Sequence, residues 1–329
     1  MYRFKTAGIA ITMAFAATIP ASADPVCKSY KGFTAADISQ PATTIKTKDG
    51  RSGLAAFKGI GVKTIIRYYN HPGDAISCKT LLPAESDAII AAGMSIATVF
   101  QHQGHDPETF FNAGRGSKDA RRALHLAAIN GQPEGSAIYF AVDGVDQTIR
   151  DAVFEYGMSD GHGISKKRKR LLLRADRSKA RHIRHYARFL KYHRRIFGKA
   201  ASDIRASDIL PFVDRYFRAV NAEMKGKGYR VGAYGSGLVC SHLLAQKLVD
   251  LCWLAQSSGW PGYDEFRASK TWSLVQQKST ACKSWKYRGV ETVRFDFNRV
   301  NPAKPDFGQW SVKGPVTETE VLSPDCSAN

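Results

Sequence analysis

The strongest constraint on the fold is a repeated alternation of strand-like and helix-like segments. Most intervals between the strand candidates have the apolar spacing of amphipathic helices, as at 209–225. Alternating strands and helices predict a parallel sheet, and eight repeats favour a (β/α)8 TIM-like barrel over an open doubly wound sheet. A dinucleotide-binding fold is disfavoured because no Gly-x-Gly-x-x-Gly follows the first strand and no P-loop occurs. The eight predicted strands are 33–38, 62–69, 94–101, 137–142, 229–234, 251–256, 271–277 and 292–297.

The predicted strand at 137–142 is the clearest of the eight. Its six residues are all apolar or aromatic, which is typical of a strand buried on both faces. It ends on Asp143, and Gly144 and then Asp146 follow. Carboxylates at the C-terminal end of such a strand lie where TIM barrels build their active sites. The alternative is that Asp143 caps the next helix or starts a turn.

Polar and aromatic side chains recur at the ends of these strands, which converge on one face of a barrel. Such a face suits a carbohydrate, because aromatic rings stack on sugars, amides bond hydroxyls, and a carboxylate pair can protonate a leaving group and activate water. The alternative for each uncharged or basic side chain is a structural role in satisfying buried polar groups. The candidate catalytic residues are Asp143, Asp37, Asp296 and Asp146. The candidate substrate-binding residues are Arg67, Tyr68, Gln101, Tyr139, Tyr234, Trp253, Gln256, Gln276 and Asn298.

Six motifs in chain order resemble a known family, the glycoside hydrolase-like TIM barrels catalogued as domain of unknown function 1906. The resemblance covers roughly 32–156 and 208–300, which we take as the barrel within 24–156 and 208–300. The motifs are Gly32-Phe-Thr-Ala-Ala-Asp37, Ile66-Arg-Tyr-Tyr69, Leu82-Pro-Ala-Glu85, Ile138-Tyr-Phe-Ala-Val-Asp143, Val231-Gly-Ala-Tyr-Gly235 and Phe295-Asp-Phe-Asn298.

The resemblance implies a glycosidase-like site, since that family is distantly similar to the family 25 lysozymes that cut cell-wall glycan. Their carboxylates on the first, fourth and last strands match Asp37, Asp143 and Asp296. Their general acid, a glutamate two positions after the fourth-strand aspartate, corresponds here to Val145, and the next acid is Asp146. The resemblance therefore implies a protein that cuts or binds a peptidoglycan-like glycan. Non-catalytic glycan binding or envelope anchoring is the alternative. No metal-binding spacing occurs, and we expect neither metal nor cofactor.

The N-terminus predicts export. Arg3 and Lys5 precede an uncharged apolar stretch, 7–19, and Ala21-Ser-Ala23 matches the small-residue pattern of signal peptidase sites. We expect a signal peptide at 1–23, cleaved after Ala23, and a secreted or periplasmic protein with no transmembrane segment in the mature chain; an uncleaved signal anchor is the alternative.

Six cysteines in the mature chain of an exported protein favour disulfides. Six cysteines allow fifteen pairings, among which sequence alone cannot choose. Cys27 and Cys326 lie near the two ends of the mature chain, which a closed barrel would bring together, so we expect a bridge between them.

Most of the net charge of +19 is concentrated in one segment. Residues 166–199 hold fifteen Lys or Arg and a single acid, Asp176. The segment lies in 157–207, which interrupts the alternation and predicts a basic helical insertion after strand four; a tail, 301–329, closes the chain. In an exported protein we expect anionic cell-envelope polymers or lipid headgroups as partners, and no nucleic acid. The alternative is a solvated excursion with no dedicated partner.

Overall fold

The computed structural model describes residues 27, 30–72, 79–146, 196–199, 204–256, 258–287 and 290–320. The predicted signal peptide, the cleavage site and most of the predicted basic insertion lie outside these ranges. The strands within them are β1 Ala35–Asp37, β2 Lys46–Thr47, β3 Thr64–Tyr69, β4 Ser95–Phe100, β5 Ala137–Val142, β6 Arg230–Gly235, β7 Leu251–Leu254, β8 Leu274–Tyr287 and β9 Val290–Val300. The helices are α1 Gly53–Gly59, α2 Pro83–Ala91, α3 Pro107–Phe111, α4 Arg115–Asn130, α5 Leu210–Met224, α6 Gly237–Ala245 and α7 Tyr263–Ser269.

The sheet closes into a barrel of eight strands, as predicted. The strand order runs β8-β7-β6-β5-β4-β3-β1-β9, and β9 pairs with β8 to close the ring, while β2 lies outside it on β8. Each of the eight predicted strands overlaps one strand of the ring. The (β/α)8-like fold is therefore confirmed from the strand order itself.

The barrel departs from a fully parallel one at its last strand. Strands β1 and β3 to β8 run parallel to one another, whereas β9 is antiparallel to both β1 and β8. A parallel connection needs a crossover of about a dozen residues or more. Only residues 288 and 289 separate β8 from β9, so the chain turns straight back as a hairpin.

Two hydrophobic layers follow from the alternation of side chains along each strand. The outer layer lies between the strands and the helices, and includes Ile65 and Tyr69 of β3. The layer inside the barrel, called here the interior cluster, fills the lumen as a packed core. The interior cluster consists of Ala35, Ile66, Ala97, Val99, Ala137, Tyr139, Ala141, Tyr234, Leu251, Trp253, Ala255, Leu274 and Phe307.

Residues after β9 close the N-terminal end of the barrel. Phe307 belongs to the interior cluster, Gly308 O accepts a hydrogen bond from the Ala137 amide at 3.0 Å, and Trp310 forms a bridge with Ile96. The C-terminal ends of β1 and β3 to β8 lie at the opposite end of the barrel, called here the mouth.

Two disulfides join described residues, Cys27 to Cys282 and Cys240 to Cys252. The expected bridge between Cys27 and Cys326 is wrong, because the long β8–β9 hairpin places Cys282 beside Cys27. Two bridges fit folding in an oxidising compartment. No helix in the described ranges is long and apolar enough to cross a membrane.

Candidate functional site: the barrel mouth

Two carboxylates meet where β1 pairs with β9. Asp37 ends β1 and lies directly opposite Asp296 in the antiparallel register. Asp37 is 3% exposed, whereas Asp296 is half-buried. We call these two residues the acid pair. The predicted residue Asp296 thus reaches the mouth from within β9, because that strand runs against the others.

The acid pair is surrounded by neutral donors. Asn298 Nδ2 donates to Asp37 Oδ1 at 2.7 Å, and the Tyr68 hydroxyl donates to Asp37 Oδ2 at 2.9 Å. Gln276 Nε2 contacts both acids, at 3.0 Å from Asp296 Oδ2 and 3.4 Å from either Asp37 oxygen. Because Gln276 Nε2 contacts both carboxylates, the nearest oxygens of Asp37 and Asp296 can be no farther apart than the sum of the two contact distances.

Burial beside Asp296 changes the acidity of Asp37. Loss of water around the charged form is the largest cause, followed by the negative charge of Asp296, and together they raise the pKa of Asp37 to about 7. The hydrogen bonds from Asn298, Tyr68 and Gln276 act in the opposite direction but are outweighed. The acid pair therefore holds a proton over a pH range in which an ordinary aspartate has lost it.

Asp143 stands at the end of β5 with partners of its own. Gln101 Nε2, one residue past β4, donates to Asp143 Oδ2 at 2.8 Å, and the Asp143 amide donates to Gly104 O at 2.9 Å. Gly144 has φ +73, a left-handed angle that glycine adopts without strain. Lys79 Nζ donates to Gln101 Oε1 and lies 4.1 Å from the centre of the Tyr68 ring. Lys79 thus contacts partners of both Asp143 and Asp37.

A cavity with about 210 Å³ of empty space, including its solvent-open part, lies at this end of the barrel. Three of its lining side chains each bond a carboxylate: Tyr68 bonds Asp37, Gln101 bonds Asp143, and Gln276 bonds the acid pair. The cavity is lined by Tyr68, Val99, Gln101, Tyr234, Trp253 and Gln276, and we call it the mouth cavity.

Tyr234 connects the two acidic sides of the mouth. Burial is the first cause that raises its pKa, and the charges of Asp143, Asp37 and Asp296 raise it further, in that order. The phenol therefore stays protonated and donates to Gln276 Oε1 at 2.8 Å. The Tyr234 hydroxyl thus interacts electrostatically with all three carboxylates, as expected if they surround the mouth cavity.

Two further predicted residues, Trp253 and Gln256, bond the side chains that contact the acid pair. Trp253 Nε1 donates to Asn298 Oδ1 at 2.7 Å, which orients the amide that bonds Asp37. The Gln256 amide donates to Gln276 Oε1 at 3.2 Å. Most of the predicted site residues are therefore brought to one place.

Three predicted residues are not brought to the mouth cavity. Arg67 points outward from β3, fully buried, with its Nε 2.9 Å from Glu85 Oε1 and a hydrogen bond to Ile38 O. Tyr139 lies inside the barrel but donates to Phe307 O at 2.7 Å, at the closed end.

Asp146 is the third. It is fully buried and accepts a hydrogen bond from Ser236, the residue that caps α6. Val145, at the position of the lysozyme acid, is also fully buried. Neither residue supplies an acid to the mouth.

Two residues at the mouth were not predicted from the sequence. Lys79 lies in the connection after β3, and Trp260 lies in the connection after β7, against Gly144. Both follow strand ends, which is the only signal that could have singled them out. In the described part of the chain, no group of three or more His, Cys, Asp or Glu side chains is placed to hold a metal ion.

Comparison with known proteins agrees with the motifs. A family model described as an Rv2525c-like, glycoside hydrolase-like domain matches residues 55–171, so the predicted resemblance is confirmed over that range. The uncharacterized protein FadG of Bacillus subtilis (strain 168) is 30% identical over 142 residues, 43% of this chain. The match spans only 22% of the length of FadG.

Solved structures with a similar outline include the Tat-secreted protein Rv2525c of Mycobacterium tuberculosis, in crystals with HEPES and with L-tartrate. Both align with a TM-score of 0.49 and 17% identity, over 84% and 85% of this chain and 98% and 100% of theirs. An uncharacterized B. stearothermophilus protein aligns with a TM-score of 0.43 and 12% identity, over 85% of this chain and 100% of its own.

Proposed function

We propose that this protein binds a cell-wall (peptidoglycan-like) glycan in the mouth cavity and hydrolyses a glycosidic bond there. The observation that carries the proposal is the position of the cavity between the partners of Asp143 on one side and the acid pair on the other. Two carboxyl groups on either side of a sugar linkage are the requirement of glycoside hydrolysis. The glycoside hydrolase-like match over 55–171 supports the same reading.

In this proposal the acid pair is the proton donor. With the pKa of Asp37 at about 7, the pair holds a proton near neutral pH that it can deliver to the leaving oxygen. Asp296 is the more exposed member, so we place it on the substrate side. Asp143 then stabilises the positive charge that develops at the sugar, or bonds to it, and water adds to that sugar carbon and returns a proton to the acid pair. Tyr68, Gln101 and Gln276 hold the ring hydroxyls.

Release of new reducing ends from purified peptidoglycan tests the proposal. We expect activity from the wild type and a loss of at least about a hundredfold in Asp143→Asn and Asp37→Asn, the scale of removing a positioned acid or base. Asp264→Asn, an exposed change at the start of α7, is the matched control and should keep full activity. Equal activity in the wild type and Asp143→Asn would refute the catalytic assignment.

A second candidate is glycan binding without hydrolysis. It is favoured by the burial of Val145 and Asp146, which supply no acid at the cavity. It is also favoured because the carboxylates already accept hydrogen bonds from Tyr68, Gln101 and Gln276, which line the cavity. Under this reading the wild type is retained on insoluble peptidoglycan but releases no reducing ends, and Gln101→Ala reduces the retention. The reducing-end assay and a sedimentation assay on one sample separate the two candidates.

We further propose that the protein acts outside the cytoplasm and that 166–199 holds anionic envelope polymers. The two disulfides and the signal-like N-terminus support export. The fifteen basic residues of 166–199 support the anionic partner, whose attraction salt would screen. Deleting 160–205 should lower retention on cell walls at low salt and remove its salt dependence. Retention that is unchanged by the deletion would refute this role.

A further inference from the structure

Trp260 differs from the other tryptophans in its exposure. The chain has five tryptophans, and Trp253, Trp272, Trp285 and Trp310 are each at most 7% exposed. Trp260 is half-buried. A partly exposed aromatic side chain is ordinary on its own, so its surroundings decide whether it forms a site.

The indole of Trp260 lies against the residue that follows Asp143. A Cβ added to Gly144 would be 2.8 Å from Trp260 Cζ2 and 2.9 Å from Cη2, so only glycine permits this approach. Trp260 also packs on the interior cluster, as does Tyr68 of the mouth cavity. Trp260 therefore lies at the rim of the mouth, beside Asp143, between the ends of β5 and β7.

The backbone around Trp260 is held tightly to α6. Pro261 O accepts a hydrogen bond from the Leu238 amide at 2.8 Å. A Cβ on Gly237 would lie 1.9 Å from Gly262 O, which shows how closely the two backbones pack. The backbone that follows Trp260 is thus anchored to α6, and a side chain held in place before binding loses little freedom when a ligand stacks on it.

We infer that Trp260 forms a second sugar subsite, and that the substrate is a chain of at least two linked sugars. The inference rests on the proposed function and extends it. In this proposal one sugar ring lies against the side chains that line the mouth cavity. The next ring then lies across Asp143, with its C–H face on the indole. The bond between the two rings is the one presented to Asp143, so single sugars fill the cavity but are not substrates.

Tryptophan fluorescence tests the inference, because only one of the five tryptophans is half-exposed. In the wild type, acrylamide should quench the Trp260 emission. The N-acetylglucosamine tetramer should protect that emission, and the monomer should leave it accessible. Trp260→Leu, which keeps apolar bulk but removes the aromatic face, should raise the Kd for the tetramer at least tenfold, about 1.4 kcal/mol. The Kd for the monomer should not change.

Two further variants separate stacking from a folding defect. Trp260→Phe keeps an aromatic face and should restore the Kd to within about threefold, or about 0.7 kcal/mol. Trp272→Phe changes a buried tryptophan that bonds Arg267 O at 3.0 Å, and should leave tetramer protection intact.

If the wild type binds and cuts the tetramer but Trp260→Leu does so with the same Kd, the subsite is refuted and the proposed function stands. If the wild type neither binds the tetramer nor releases reducing ends from peptidoglycan, the proposed function fails and the subsite fails with it.

Discussion

The acid pair makes a quantitative prediction about stability and pH. The pKa of Asp37 is about 7 in the folded protein in place of 3.8, so ionising it there costs roughly 4 kcal/mol more than in the unfolded chain. Between these two values the folded state keeps a proton that the unfolded chain has released. Stability contributed by this group is therefore fully present below about pH 4 and is lost as the pH rises to about 7.

Asp37→Asn removes the titration and keeps the shape of the side chain. Integrating the linkage between pH 5 and pH 8 gives a loss of roughly 2–3 kcal/mol in the wild type that the variant does not share. We expect the free energy of unfolding of Asp37→Asn, measured relative to wild type, to rise by that amount over this range. Subtracting the two proteins at each pH cancels the contribution of titrating groups that do not interact with Asp37, which leaves the titration of the acid pair.

Urea unfolding at pH 5, 6, 7 and 8, followed by circular dichroism with the disulfides intact, measures this difference. Asp306→Asn is an informative control, since the hydrogen bond from Arg230 holds the pKa of Asp306 below its usual value and gives the opposite sign. Its contribution is lost only in acid, so the control should show no change between pH 5 and pH 8. A difference for Asp37→Asn that stays constant within about 0.5 kcal/mol across the series would contradict the raised pKa.

Two further predictions concern the scaffold. Arg67→Met should lower the free energy of unfolding by about 3–5 kcal/mol because it leaves Glu85 buried without its ion pair. The double variant Arg67→Met with Glu85→Leu should recover much of the loss. Urea titration measures both variants, and an equal loss in the double variant would contradict the pairing. Cys27→Ser and Cys282→Ser should each cost about 2–5 kcal/mol and agree with one another, since both remove one bond; clearly unequal losses, measured by thermal unfolding, would count against that bridge.

The barrel was predictable because its signal is local and repeated. Each strand is a short apolar run bounded by helical spacing, and the run at 137–142 coincides with β5. Strand ends converge in any closed barrel, so the approach of Asp37, Asp143 and Asp296 to Tyr234 follows from topology. No knowledge of individual contacts was needed for that result.

The direction of individual side chains was not predictable, and this explains most of the differences. Arg67 stands between Ile66 and Tyr68, which both pack with the interior cluster, so it must face the helices. An apolar run buried on both faces carries no alternation from which this direction can be read. Position along a strand matters too, since Tyr139 points inward but bonds the closed end.

The contacts between residues far apart in the chain were also not predictable from the sequence. The hairpin between β8 and β9 reverses the last strand and brings Cys282 to Cys27. Trp260 was missed because it lies in a connection, where neither period nor composition marks a side chain as part of a site.

A crystal structure of Asp143→Asn grown with the N-acetylglucosamine tetramer tests the central claim most directly. We predict one sugar ring in the mouth cavity, bonded by Gln101 and Gln276, and the adjoining ring on Trp260. The linkage between the two rings should then lie between residue 143 and the acid pair. A tetramer bound elsewhere on the barrel, with the mouth cavity filled only by water, would contradict the account.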